Sequence, residues 1–294
     1  MNVDVKDLNE VQRELSFEIP RERVTKTLDE VYKNIGRKAK IKGFRPGKVP
    51  RRILEKEFRA DAEMELIKKL IPEVYQEGVE AHAIQPVARP DIKDVSYKDG
   101  LITFKAVVDV QPEIKITKYK GIKVKRKKIE TTEEELNQTL EYFKKGQPQD
   151  KEVKIDDTFA RSLGYPDLED FKRSLRRQLE IDKDRQARAD VENQVIEALL
   201  KATKFTVPPS LVKEQVEHAL KHEREQWQRQ GLSGEDMRQK ETEARKALQE
   251  PCERQVKVYL ILNEIAKLEN IVLGENENFY HRVMEFLLKE AEWA

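Results

Sequence analysis

The chain has 294 residues, with 57 Lys+Arg against 56 Asp+Glu and a formal charge of +1. Charged residues reach 38% and aromatics only 7%, where ordinary domains carry about a quarter charged. That balance excludes one fat globular core and favours long solvated helices over about two domains. The single cysteine, Cys252, excludes an internal disulfide framework. No window approaches the length of apolar sequence needed to span a bilayer.

Residues 2–19 alternate as strands. Val11, Leu15, Phe17 and Ile19 fall partly in period two, and Pro20 stops the run. From Arg21 the period becomes helical, with Val24, Leu28, Val31 and Ile35 on one stripe. The loop KGFRPGKVP ends that helix through Gly43, Pro46, Gly47 and Pro50. One further helical stretch is expected from Ile53 to Val79. Residues 84–95 read as irregular, and DGLITFKAVVDVQPEI as a turn and a long strand. Residues 1–113 are therefore expected to form a compact α+β domain around a helix–loop–helix.

Residues 114–130 look extended and exposed, a tether and not a core. TTEEELNQTLEYFKK carries a double capping signal, Thr131 with Glu134 and Thr132 with Glu135. Residues 114–167 are expected to be tether and linker. From Leu168 to the end, narrow apolar stripes predict antiparallel helices resembling arms, with Pro251 kinking or splitting one of them. The overall expectation is an elongated, multidomain α+β protein.

Between Tyr32 and Arg52 stand nine cations, Lys33, Arg37, Lys38, Lys40, Lys42, Arg45, Lys48, Arg51 and Arg52, and no carboxylate. A run of charge is ordinarily a solvated face. Here it sits on a helix–helix tip stiffened by proline and glycine, and it carries Phe44, which has no periodic apolar neighbours. An aromatic anchor beside an arginine has the composition of a docking hot spot. Its expected partner is large and acidic: RNA, an RNA–protein surface or an acidic protein.

GFRPGKVP resembles the Gly-Phe-Arg-x-Gly-x-x-Pro signature of the trigger factors, bacterial ribosome-associated chaperones, at Gly43, Phe44, Arg45, Gly47 and Pro50. The flanking helices agree, and so does the later sequence from FARSLGYPDLEDF to VYLILNEIAKLENI. The resemblance implies docking beside the exit tunnel of the large ribosomal subunit, with Phe44 and Arg45 meeting a ribosomal protein and nearby rRNA. Pro46 stands where the family often has a base, leaving Lys42, Lys48 and Arg51 as candidates to compensate. It also implies that the helical part holds unfolded and nascent polypeptides without ATP or any cofactor. The family's FKBP-type prolyl isomerase domain has no counterpart in residues 114–167, and the helical part is expected to be shorter than the family's. Cytoplasmic localisation without membrane association is expected. A homodimer in the free state is left open.

Promiscuous client binding calls for dispersed apolar contacts and no motif. The candidates are Val195, Leu199, Leu211, Tyr259, Ile261 and Phe286, any single one of which fits interhelical core better than a client contact. His218 and His222 have the i, i+4 spacing of a zinc pair, but Ala219 replaces the glutamate of a metalloprotease helix and no third ligand is evident. The runs KVKRKK and DKDRQARAD read as solvated faces. Rival functions are a prolyl isomerase, a periplasmic chaperone and an RNA-binding structural protein.

Overall fold

The structure, a computed structural model, describes residues 2–41, 44, 47–145, 154–274 and 277–294. The chain forms two compact units: Met1–Ile114 with Phe205–Lys257, and Lys115–Lys204 with Val258–Ala294.

In the first unit, strands β1 (Asn2–Asn9), β2 (Gln12–Ile19), β3 (Asp91–Lys98) and β4 (Leu101–Asp109) form an antiparallel sheet in the order β1-β2-β4-β3. The period-two residues of β2 face one way, so Leu15, Phe17 and Ile19 are all buried. Phe17 pairs in register with Phe104, and their rings stack with centroids 4.5 Å apart. Helices α1 (Arg21–Lys38), α2 (Arg51–Glu57) and α3 (Arg59–Ala81) follow β2. Leu66, Leu70 and Val74 of α3 lie on the Phe17–Phe104 layer, making one core with β2 and β4. The approach is close enough that a Cβ on Gly78 would come 2.4 Å from the Phe17 ring. Truncating Phe17 to alanine would cost about 3–5 kcal/mol.

Two expectations for this unit change. The irregular stretch contains β3. It is an edge strand with a register shift between Lys93 and Ser96 and a positive φ at Asp94, so its alternation is broken. The single helical stretch is two helices, because Phe58 between α2 and α3 has φ −125° and ψ 26°.

Helix α7 (Pro209–Arg229) and the first part of α8 (Gly234–Leu268) also belong to this unit. Val212, Val216, Leu220 and Cys252 form their shared core. Helix α8 runs through Pro251 as one helix and is not split there.

In the second unit, α4 (Glu133–Lys145), α5 (Asp157–Ser162) and α6 (Leu168–Ala202) share a core of Leu136, Leu140, Phe159, Phe171 and Leu175. Of the two capping signals, Thr132 with Glu135 is the one formed. The Glu135 amide donates to Thr132 Oγ1 and the Thr132 amide donates to Glu135 Oε2.

The stretch expected to be an exposed tether is partly core. Val124 is fully buried, and β5 (Lys123–Val124) pairs in parallel with β6 (Glu292–Trp293), just after α9 (Phe279–Lys289). The Gln194 side-chain amide accepts from the Lys125 N–H and donates to its carbonyl, both at 2.9 Å, acting as a substitute strand. The two charged runs face each other as well as solvent: Arg126 pairs with Asp184 at 2.5 Å and Lys127 with Asp190 at 2.7 Å. Such surface pairs contribute about 1 kcal/mol or less each.

Candidate functional site

The basic loop rests on a small core of its own. Val31 and Tyr32 of α1, Ala39, Leu54 of α2 and Ala62 of α3 are buried together, with Ile35, Ile41, Val49 and Phe58 packed on them. Ile41 enters the loop and Val49 leaves it, so both ends of the tip are held by apolar packing. The Gly47 N–H donates to the Gly36 carbonyl at 2.8 Å, and Gly47 has φ +83° with no atom near its missing Cβ. The glycine is required by backbone conformation and not by crowding. Pro50 is the N-cap of α2, where an extended residue without an N–H is tolerated.

Phe44 stands between these anchors and is 38% exposed, with its N–H donated to the Ile41 carbonyl at 3.1 Å. Lys33, Arg37, Lys38, Lys40, Lys48 and Arg52 are exposed. None of these six meets a carboxylate at ion-pairing distance among the described residues. Arg51 differs. It pairs with Asp29 at 3.1 Å and Glu55 at 2.7 Å, and stacks on the Tyr32 ring. It is therefore part of the loop's base, with its charge already met by carboxylates. Burial raises the Tyr32 phenol above its ordinary pKa, with Arg51 opposing. The expected site residues Lys42, Gly43, Arg45 and Pro46 lie outside the described residues.

Ile41 and Val49 were missed in the sequence. The signal was present: they are the two apolar residues that bracket the tip.

The six client candidates separate sharply. Val195, Leu199 and Ile261 are 0%, 2% and 1% exposed, so they are interhelical core and do not face a client in this structure. Leu211 and Phe286 are half-buried, while Tyr259 is 57% exposed, its ring 5.8 Å from that of Phe279. Residues that sequence reasoning did not select stand out more. In the second unit Tyr142, Ile181, Leu268, Val272, Leu273 and Trp293 are all at least 40% exposed.

His218 and His222 are both exposed, with ring centroids 5.1 Å apart. Among the described residues no group of three or more His, Cys, Asp or Glu side chains is arranged to hold a metal, and no helix is long and apolar enough to cross a membrane. Cys252 is buried, and burial raises its thiol pKa.

An antiparallel sheet bearing a helix–loop–helix with an outward aromatic tip, continued by long helices, defines a multidomain α+β protein with a helical arm. The known proteins it resembles fall in one group. Residues 1–143 match the family model described as bacterial trigger factor protein, and residues 167–286 match the model of that protein's C-terminus. The trigger factor of Desulfatibacillum aliphaticivorans is 26% identical over 381 residues, covering 94% of this chain and 85% of the relative. That of Natranaerobius thermophilus is 41% identical over 136 residues, 46% of this chain and 30% of the relative. A solved structure described as "Promiscuous Substrate Recognition in Folding and Assembly Activities of the Trigger Factor Chaperone" superposes with a TM-score of 0.57 at 14% identity. It covers 99% of this chain and 100% of its own.

The chain belongs to the trigger factor family of chaperones. The alignment with the Desulfatibacillum relative is longer than this chain, so stretches of the relative have no counterpart here. The two matched segments are separated only by residues 144–166.

Proposed function

We propose that the chain docks on the large ribosomal subunit through its basic loop. There it shields unfolded and nascent segments, without ATP or any cofactor, in the cytoplasm. The observation that carries the reading is Phe44. Its ring is exposed on a tip whose two ends are pinned by Ile41 and Val49, in a field of cations lacking acidic partners among the described residues. A ring held out at a braced position loses little conformational freedom on docking. Its cationic surroundings suit a surface of rRNA and ribosomal protein. Gly43, Arg45, Pro46, Lys42, Lys48, Gly47 and Pro50 complete the proposed contact.

For clients, the exposed apolar side chains of the second unit support a holding function with weak and reversible contacts. Tyr259 and Val272 are the proposed representatives. We assign no isomerase reaction to the chain, since residues 144–166 are too short a stretch for an inserted domain of on the order of a hundred residues.

The test is co-sedimentation with ribosomes. Phe44→Ala with Arg45→Ala is expected to leave the protein folded and in the supernatant. Pelleting equal to that of the unaltered chain at moderate salt would overturn the docking reading.

A further inference from the structure

Helix α7 begins without a cap of its own. Its N-cap is Pro208, whose side chain accepts nothing, its first residue is Pro209, and its first turn holds no acid. The first N–H the helix presents is that of Ser210. A helix start ordinarily has its free amides met by a nearby side-chain oxygen, and its positive end favours a carboxylate. Here both come from elsewhere in the chain. Asp109, the last residue of β4, accepts from the Ser210 N–H through Oδ2 at 2.6 Å across 101 residues of sequence. Its other oxygen accepts from Gln12 Nε2 at 2.9 Å, and the Gln12 carbonyl oxygen Oε1 accepts from Asn9 Nδ2 at 2.9 Å. Asp109 is only 6% exposed. A second bond lies alongside, from Thr206 Oγ1 to Glu10 Oε2 at 3.0 Å.

We infer that Asp109 is a positioning residue that fastens the α7–α8 hairpin to the end of the β-sheet by capping α7 from outside the helix. The arrangement makes the carboxylate serve two purposes at once. Gln12, the first residue of β2, fixes its orientation, and its other oxygen then sets where α7 starts. Because Pro208 and Pro209 deny the helix a local cap, the sheet supplies the missing acceptor, and the hairpin keeps its register on the sheet only while that acceptor is present. The buried Ser210 Oγ finds no partner of its own, so it adds no polar hold to the junction. This assignment concerns how the first unit is assembled. It stands or falls apart from the docking and client readings.

Amide hydrogen exchange on the full chain tests it, with Asp109→Ala, Asp109→Asn and the double variant Asp109→Ala, Pro208→Asp. Alanine should speed exchange across residues 205–213 roughly tenfold, the size expected when a helix loses its cap. Asparagine, which keeps an acceptor oxygen, should give a much smaller rise. The double variant returns a local cap. It should restore protection in the first turn of α7 while residues 205–207, left with only the Thr206–Glu10 bond, stay faster than in the unaltered chain. Two results would overturn the inference. One is exchange of 205–213 within twofold of the unaltered chain in the alanine variant. The other is full recovery of both segments in the double variant, which would leave Asp109 a cap with no positioning role. Should alanine unfold the sheet, Gln12→Ala, which removes the donor that orients the Asp109 carboxylate, decides instead, and exchange of 205–213 within twofold of the unaltered chain there counts against the inference.

Discussion

The Arg51 guanidinium lies 3.8 Å from the centroid of the Tyr32 ring, with Asp29 and Glu55 bonded at its rim. One arginine thereby joins the end of the basic loop to both helices that carry it. A planar cation stacked on a ring while forking to two carboxylates is a role lysine fills poorly. Arg51→Ala is expected to destabilise the first unit by about 1 kcal/mol, lowering its melting temperature by roughly 2–4 °C. Arg51→Lys should recover only part of that. Circular dichroism melts of the three proteins check it, and equal behaviour of lysine and arginine would show that charge alone matters at this position.

The other cations of the loop are expected to act at a distance from the fold. Neutralising Arg37, Lys38 and Lys40 together should leave the melting temperature unchanged and flatten the salt dependence of ribosome binding. For every phosphate no longer neutralised, the slope of log affinity against log salt should shrink by about 0.7–0.9. Phe44→Ala should do the reverse, weakening binding at every salt concentration with the slope preserved. Pelleting at four or five salt concentrations separates the two effects.

How much of this was legible in the sequence depends on the range of the forces involved. Helix α1 was, because Val24, Leu28, Val31 and Ile35 all answer to one local period. The loop's exposed Phe44 was, because the turn residues around it act locally. Strand β3 was not: its bulge at Asp94 breaks the alternation, and its edge position leaves one side without a partner. Nor was β6, two residues whose partner Val124 lies far away in sequence. The client residues show the limit most clearly. Tyr259 and Ile261 are two apart on α8, roughly 200° around the helix, so they face different surroundings, and one is exposed while the other is buried. Apolar spacing marks a stripe, but whether another helix covers that stripe is decided by tertiary packing.

Gly47 provides a test of the loop's backbone. Its φ of +83° places it where a side chain is strained, although nothing crowds the position. Gly47→Ala is expected to cost about 1–2 kcal/mol locally and to weaken the bond from its N–H to the Gly36 carbonyl. The melting temperature of the whole unit should fall little, since the loop lies beyond the Phe17–Phe104 core. Ribosome pelleting should fall markedly, because the ring of Phe44 is no longer held in place. Full pelleting with Gly47→Ala would mean that the tip docks without being preorganised.

Between α7 and α8 four charges are interlinked. Arg245 bonds Glu217 and reaches Glu241 at 3.5 Å, while Arg224 bonds Glu241 and lies 3.9 Å from Glu217. The hydrogen bond from Arg245 holds Glu217 below the usual glutamate range, and that from Arg224 does the same for Glu241. A carboxylate whose folded pKa is depressed contributes stability above its unfolded pKa of about 4.3 and loses it as pH falls through the lower folded value. The hairpin is therefore expected to keep its full stability at neutral pH and to loosen progressively below about pH 4, with α7 and α8 exchanging their amides faster together. The side chains are partly exposed, so raised salt should produce a weaker version of the same loosening at neutral pH. Glu217→Gln should flatten the acid dependence of the hairpin while leaving that of the β-sheet as it was. Exchange measured across pH 3–7 on both proteins decides it: an acid response unaltered by the substitution would place the sensitive carboxylates elsewhere in the unit.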